Sequence, residues 1–220
     1  MVDVFNFLAD LRENNNRDWF NQHKDRYLSS KEKFDLLIQN VIDGLAIKDE
    51  SFEFLTAKQC VYRIYRDARF SANKQPYKTH FGASINPGGR KSGFAGYYLH
   101  ISPEQIMMGG GIYKPEAKSL KAIRDHIFEN PEEYKAILNG AAFKSLYPEV
   151  QGEKLKRAPK GFPKDFADLE LIKNKSFFVV RHTEVIEDQS ALEQEILQSF
   201  EIQAPFNKFL NQALENIENH

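Results

Sequence analysis

Cysteine is nearly absent from the chain, because Cys60 is the only one among 220 residues. A single cysteine excludes an intramolecular disulfide and leaves too few thiolates for a zinc ribbon. Long apolar runs are missing as well, since none approaches the roughly 20 residues that cross a bilayer. The N-terminal segment also reaches charged residues too early for a signal peptide. These absences predict a soluble cytoplasmic protein that does not enter a membrane.

Net charge is also small. Lysine and arginine number 30 against 31 acidic residues, which leaves a formal charge of -1 at pH 7. A protein so close to neutrality has no bulk field that draws it to nucleic acid or to anionic lipid. Any site for an anion therefore has to be built from a local cluster of cations.

Apolar and aromatic side chains are abundant, with 41% hydrophobic residues, 18 Phe and 9 Tyr. That supply is enough for a sizeable core. Near the N-terminus, apolar residues recur at helical spacing, and Asn16 is placed to cap a second, long amphipathic helix. Later helices are predicted around Leu120, at 130–138 and, on either side of a break at the Ala204 to Pro205 step, at 189–200 and 205–217.

The middle of the chain changes to short segments typical of strands, rich in aromatic and β-branched residues and separated by Gly, Pro or Asn. These segments are VYRIYR, HFGASI, GYYLHI and QIMMGG, and SFFVVRH follows later. Their close spacing indicates an antiparallel meander, and no repeat or linker divides the sequence. The prediction is a single α+β domain over residues 1–220, in which N-terminal and C-terminal helices cover a mainly antiparallel sheet.

Positive charge is concentrated in YRIYRDARFSANKQPYK, Tyr62 to Lys78. Arginine holds phosphate or carboxylate through two parallel hydrogen bonds and lysine adds a mobile point charge, so the stretch is a candidate anion site. The two-residue period of a strand puts Arg63 and Arg66 on opposite faces, unless the following turn redirects the later cations. The candidate ligand-binding residues are Arg63, Arg66, Asp67, Arg69, Lys74, Tyr77 and Lys78.

Each cationic or glycine-rich feature also has an ordinary structural interpretation. Asp67 can pair with Arg66 or Arg69 while the other charges are solvated. A second basic segment, from Lys154 to Lys164, can be a surface loop or can converge on the first one. GGGIYKP, from Gly109 to Pro115, can cradle a phosphate at a helix N-terminus, although glycines required for a bulge or tight turn explain it better.

Histidines supply the candidates for proton transfer. His80 in HFGASI and His100 in GYYLHI share the polar sheet face if the two strands pair, and either can then act as an acid or base near the arginines. The structural alternative is a histidine satisfied by hydrogen bonds within the sheet. No histidine or cysteine spacing indicates a metal site, and no nucleophile motif is found. His100 therefore joins the candidate ligand-binding residues, and no metal is predicted.

Five longer blocks occur in order along nearly the whole chain: NNNRDWF, YRIYRDARFSANKQPYKTHFGASI, GYYLHISPEQIMMGGGIYKPE, LKRAPKGF and NKSFFVVRH. In these blocks the chain resembles the family called domain of unknown function 2461, a conserved hypothetical protein of bacteria and fungi. The resemblance implies one domain over the whole chain, and it implies no activity, cofactor or catalytic residue. The family pattern has an acid and a small polar residue where this chain has Asn73 and Gln75.

These residues predict a protein that binds an anionic, phosphate-bearing small molecule or nucleotide through the Arg/Lys-rich strand and turn. Nucleic-acid binding is an alternative, in which Phe70, Tyr77 and Phe162 stack on bases. A further alternative is an enzyme that acts on a phosphorylated substrate with a histidine as acid or base. The sequence indicates neither a cofactor nor an oligomeric state.

Overall fold

The structure is a computed structural model that describes the backbone of residues 1–67 and 74–218 and the side chains as far as residue 215. Arg69 and the turn predicted around it lie outside these residues. The helices are α1 (Val2–Glu13), α2 (Arg17–Gln22), α3 (Lys24–Ala46), α4 (Ala57–Cys60), α5 (Ala117–Glu129), α6 (Pro131–Asn139), α7 (Ala141–Leu146), α8 (Leu169–Ile172) and α9 (Gln189–Glu218). The strands are β1 (Phe81–Ile85), β2 (Gly96–Ile101), β3 (Ile106–Ile112) and β4 (Phe177–Thr183).

The four strands form one antiparallel sheet in the order β1-β2-β3-β4, so each strand pairs with its neighbour in sequence. With helices at both ends of the chain, this sheet confirms the predicted α+β class. In β2, Tyr97, Leu99 and Ile101 are buried, whereas Tyr98 and His100 are half-buried. The strand therefore has a packed face and a polar face, as its two-residue period requires.

Helix α2 begins where the sequence provides a cap. Asn16 precedes α2, and its side-chain oxygen accepts a hydrogen bond from the Trp19 N–H at 2.9 Å. This confirms the predicted N-cap. The long amphipathic segment that follows is divided at His23 into α2 and α3. The apolar face of α3 is buried along its length, at Tyr27, Phe34, Leu37, Ile38, Val41, Ile42 and Leu45.

Two compact units make up the chain. Unit 1 comprises Met1–Ser92, Tyr98–Met108 and His182–Gln198, and unit 2 comprises Gly93–Tyr97, Gly109–Arg181 and Ser199–His220. Unit 1 has stacked aromatic rings in its core, with the Phe7 and Phe81 centroids 6.4 Å apart. The core of unit 2 includes Tyr134, Phe206 and Phe209. The assignment of residues 1–220 to a single domain stays a prediction.

Helix α9 differs from its prediction, because it continues through Pro205 where a break was expected. A proline inside a helix costs about 3 kcal/mol or more, since it removes one hydrogen bond and crowds the preceding turn. Phe200 and Phe206, on either side of it, are completely buried. Burial of these large side chains stabilises the continuous helix against the cost of the proline. Nowhere in the described part of the chain is a helix both long and apolar enough to cross a membrane.

The glycines of GGGIYKP lie within β3, and α5 begins only at Ala117. A Cβ atom on Gly110, whose φ is 152°, would lie 2.0 Å from the carbonyl oxygen of Gly96. No side chain fits at that distance, so the glycine lets two backbones approach closely. The glycines therefore have a structural role, but it is close backbone approach within a strand and not the predicted bulge or tight turn. The motif does not form the N-terminus of α5, as a phosphate cradle would require.

Candidate functional site

The first basic stretch runs beside the chain that leads into β1, but it is not a regular strand. Two isolated antiparallel bridges join the segments, Val61 to Ala83 and Tyr65 to Tyr77. The prediction of a strand over VYRIYR is therefore only partly right. Three backbone hydrogen bonds accompany the bridges: the Tyr62 N–H donates to the Gly82 oxygen at 2.9 Å, the Arg66 N–H to the Pro76 oxygen at 2.9 Å, and the Lys78 N–H to the Ile64 oxygen at 2.8 Å.

Pairing fails between the two bridges because the facing segments differ in length. Four steps of chain lead from Val61 to Tyr65, whereas six lead from Tyr77 to Ala83. The two surplus residues produce a bulge directly after Lys78, where the chain bends at Thr79 and His80. A bulge re-aims side chains that a regular strand would distribute over its two faces. The bulge is thus the local cause of the site.

Tyr77, which precedes the bulge, is anchored in the core of unit 1. Its ring stacks on Phe20 with the centroids 3.9 Å apart, and only 5% of the residue is exposed. The side-chain amide of Asn15 donates to the Tyr77 carbonyl oxygen at 3.0 Å, and the Tyr77 N–H donates to Asn15 Oδ1 at 3.1 Å. The bulge therefore starts from a fixed point.

A cleft of about 460 Å³ opens at the bulge. Its volume falls within the roughly 300–1,000 Å³ of small-molecule sites. The walls offer a guanidinium, an ammonium, a hydroxyl, an imidazole and one carboxylate. The residues that line it, among those the structure describes, are Arg66, Asp67, Gln75, Tyr77, Lys78, Thr79 and His80.

Lys78 is half-buried in the wall of this cleft. Burial lowers the pKa of its ammonium, and the neighbouring charge of Arg63 lowers this pKa further. The Lys78 Nζ lies 5.2 Å from the ring centroid of Tyr62, within the range of a cation–π contact. Both causes of the lowered pKa penalise the charged amine, and an anion bound nearby would offset that penalty by favouring the charged form.

His80 and His100 form a stacked pair, with ring centroids 4.0 Å apart and planes inclined by 18°. This confirms that the two histidines lie together, as predicted for adjacent strands. The pKa of His80 is lowered to about 4, first by burial and then by the charges of His100, Lys78 and Arg66. At neutral pH the imidazole of His80 is therefore uncharged, so it presents one N–H donor and one acceptor.

His100 lies on the polar face of β2, one residue beyond Leu99 and two beyond Tyr98. Burial lowers its pKa, and the charge of His182 on β4 contributes to the lowering. The Tyr98 hydroxyl is close to Gly82 on β1, where a Cβ would lie 3.2 Å from that oxygen. Burial raises the pKa of Tyr98, so its phenol stays protonated. The polar face beside the cleft therefore carries neutral hydrogen-bonding rings.

The structure brings part of the predicted site together. Arg66, Asp67, Tyr77 and Lys78 line the cleft, and His100 stacks behind its His80 wall. Arg63 and Lys74 are exposed and are not among the described wall residues. Arg69 lies outside the described residues. The lining residues absent from the predicted ligand-binding set are Gln75, Thr79 and His80; the first two have no distinctive sequence signal, and His80 was predicted only as an acid or base.

The second basic segment belongs to unit 2 and is exposed at each of its cations. An isolated bridge between Lys154 and Asn174 fixes its beginning. From there to Lys164 the chain forms no regular element. Convergence of the two basic segments stays a prediction.

The described residues include neither a cluster of metal ligands nor a reactive thiol. In the stretches that the structure describes, no group of three or more His, Cys, Asp or Glu is arranged to hold a metal ion. Cys60 is buried, and burial raises the pKa of its thiol to about 11. A thiol with so high a pKa supplies little of the thiolate that acts as a nucleophile.

Comparison with known proteins identifies a family and no activity. No curated protein matches the chain, and no solved structure does. One family model matches residues 3–209, which include every described wall residue of the cleft. The resemblance seen in the sequence blocks is thereby confirmed. The chain belongs to the family described as conserved hypothetical protein (DUF2461).

Proposed function

We propose that the protein binds an anionic, phosphate-bearing small molecule in the cleft at the bulge. The observation that carries this proposal is that Arg66 and Lys78 line one concave surface together with Thr79 and His80. A guanidinium can hold two phosphate oxygens, an ammonium can neutralise a further charge, and the hydroxyl and imidazole can donate hydrogen bonds. The combination supplies both the charge and the donors that a phosphate requires.

Asp67 lines the same cleft and narrows the class of ligand. Its carboxylate opposes an anion but accepts hydrogen bonds from hydroxyl groups, as acidic residues do from ribose in nucleotide sites. A ligand that carries both a phosphate and hydroxyl groups can bind to the cations through the phosphate and to Asp67 through a hydroxyl group. Nucleotides and sugar phosphates belong to this class.

Two alternatives receive unequal support. For nucleic-acid binding, Phe70 lies outside the described residues, and Tyr77 is stacked on Phe20 with 5% of its surface exposed. A ring buried in this way is a poor platform for a base. An enzyme that uses His80 as acid or base requires this residue at the anion, and His80 does line the cleft. The enzymatic alternative stays a prediction that is compatible with the proposal.

A double substitution, Arg66→Ala with Lys78→Ala, tests the proposal. Each change removes a charged donor worth about 1.5–3 kcal/mol when it holds an anion. We expect the dissociation constant for inorganic phosphate, measured by calorimetry, to rise by at least roughly 100-fold. Circular dichroism should show that the variant remains folded, because both side chains are at least partly exposed.

The matched control removes the same charges elsewhere, as Lys156→Ala with Arg157→Ala. Both of these residues are exposed in the second basic segment. We expect the control to bind phosphate as the unaltered protein does. Equal losses in the two variants would show that binding depends on overall charge and not on the cleft, and the absence of phosphate binding to the unaltered protein would refute the proposal.

A further inference from the structure

The unusual feature of the cleft is an uncharged histidine among cations. His80 belongs to the bulge, lines the cleft and stacks on His100 at 4.0 Å. The cations that disfavour its protonation, Lys78 and Arg66, line the same cleft. Burial and the stacked His100 are the larger causes of the lowered pKa of His80, and the remaining causes, the charges of Lys78 and Arg66, are those that an anion in the cleft would compensate.

Several groups surround this histidine, and they act in different directions. Arg66, Lys78 and His100 disfavour a positive charge on it, whereas Asp67, which lines the same cleft, brings a carboxylate of the opposite charge. Groups farther away act through these neighbours: Arg63 acts on Lys78 and His182 acts on His100. Tyr98 contributes a neutral phenol, because burial raises its pKa. A bound anion adds a negative charge directly in the space that His80 faces.

We propose that binding of an oxyanion in this cleft is coupled to the uptake of one proton by His80. The inference rests on the proposed function, because it describes how the same site receives its ligand. An anion held by Arg66 and Lys78 compensates their charges and offers an oxygen to the imidazole. The imidazolium then donates a hydrogen bond to the anion, which the neutral ring can do from only one nitrogen.

The number of protons is limited by the stacking. With ring centroids 4.0 Å apart, two imidazolium ions would repel each other strongly in a half-buried site. The two histidines therefore titrate as a coupled pair that accepts one proton when one anion is bound. The proton resides on His80, because His80 lines the cleft and His100 lies behind it.

Because binding takes up a proton, the affinity for the anion must decrease as pH rises. In the free protein the pKa of His80 is about 4, and a bound anion raises it. Affinity is therefore greatest below the free pKa and declines as pH rises toward the pKa of the complex. In that interval we expect the affinity to fall by at most about tenfold for each pH unit.

Titration calorimetry of the whole chain with sodium sulfate tests the inference, because sulfate has no titratable proton near neutral pH. Measurements at roughly pH 5.5 and constant ionic strength, in two buffers of different ionisation enthalpy, give the number of protons taken up per anion. We expect uptake close to one proton, and an affinity that declines between this pH and neutrality. Inorganic phosphate, titrated in parallel, is the probe for binding itself.

Proton uptake measured in three variants tests whether His80 is the residue that takes up the proton. His80→Asn should lose most of the uptake, and His182→Asn, an exposed histidine outside the described walls, should retain it. His100→Asn should also retain it and move the decline in affinity to higher pH, because its repulsion of His80 is gone. Sulfate binding without proton uptake, or uptake that persists in His80→Asn, would overturn the inference and leave the proposed function standing. If neither sulfate nor phosphate binds, the proposed function fails as well.

Discussion

The two basic segments have five lysines and arginines each in the sequence, and the structure treats them differently. In the first, Arg66 and Lys78 are half-buried and line a cleft of about 460 Å³. In the second, from Lys154 to Lys164, every cation is exposed. Exposed charges are screened by solvent, whereas half-buried charges pay for desolvation and interact strongly with whatever shares their space. The density of charge in a sequence is therefore a weaker sign of a site than its burial.

The cations of the two segments differ in burial because the segments are anchored differently. The first segment is fastened to the core of unit 1 through Tyr77, which stacks on Phe20 and exchanges two hydrogen bonds with Asn15. The second is fastened chiefly at its beginning, by the bridge from Lys154 and by the Leu155 N–H bond to the Lys173 oxygen at 2.9 Å. A segment held at a buried point can present its cations inward.

The largest expected effect is on the free energy of unfolding, when one aromatic residue of each segment is replaced by alanine. Tyr77→Ala removes a buried ring and should lower the free energy of unfolding by about 3–5 kcal/mol. Phe162→Ala, in the second segment, removes a half-buried ring that packs on Phe128 with centroids 5.6 Å apart. This substitution should lower the free energy of unfolding by only about 1–2 kcal/mol. Urea unfolding of both variants measures the difference, and equal losses would contradict the contrast in anchoring.

The second prediction concerns the hydrogen bonds that hold the bulge. Asn15→Ala removes both bonds to the Tyr77 backbone, of 3.0 and 3.1 Å. We expect a loss of about 1–3 kcal/mol in the free energy of unfolding, because a partly buried N–H and carbonyl lose their partners. Asn21→Ala is the control, since Asn21 is exposed at the end of α2. A variant as stable as this control would show that Asn15 does not anchor the segment.

The smallest expected effect is a change in phosphate affinity when one acidic residue of each segment is neutralised. Asp67→Asn removes the only carboxylate among the described walls of the cleft, so inorganic phosphate should bind more tightly by about 1 kcal/mol, or roughly fivefold. Asp165→Asn makes the same change at an exposed acid beside Lys164 and should leave the affinity unaltered. Calorimetry at one ionic strength compares them. A tighter complex for both variants would favour a general effect of net charge.

The sequence predicted the elements of this fold better than the details of its site. Alternation in GYYLHI correctly predicted that His100 lies on the polar face of β2, and Asn16 marked the beginning of α2. The bulge was not predictable, because it results from a two-residue difference in length between two segments that face each other in the fold. No local sequence pattern indicates which segments face each other. For the same reason Thr79 was overlooked. Pro205 was misleading, since packing across the whole of α9 overrides a local preference.

The bulge also has a consequence for how this site can be lost or gained. A chain two residues shorter between Tyr77 and Ala83 could pair regularly with residues 61–65 and would still complete the edge of the sheet. Such a chain would keep every arginine of the basic stretch and lose the turn of backbone that carries Thr79 and His80 into the cleft. In relatives of this protein, the spacing between two aromatic or apolar landmarks should therefore be a better guide to the site than the identity of the charged residues between them.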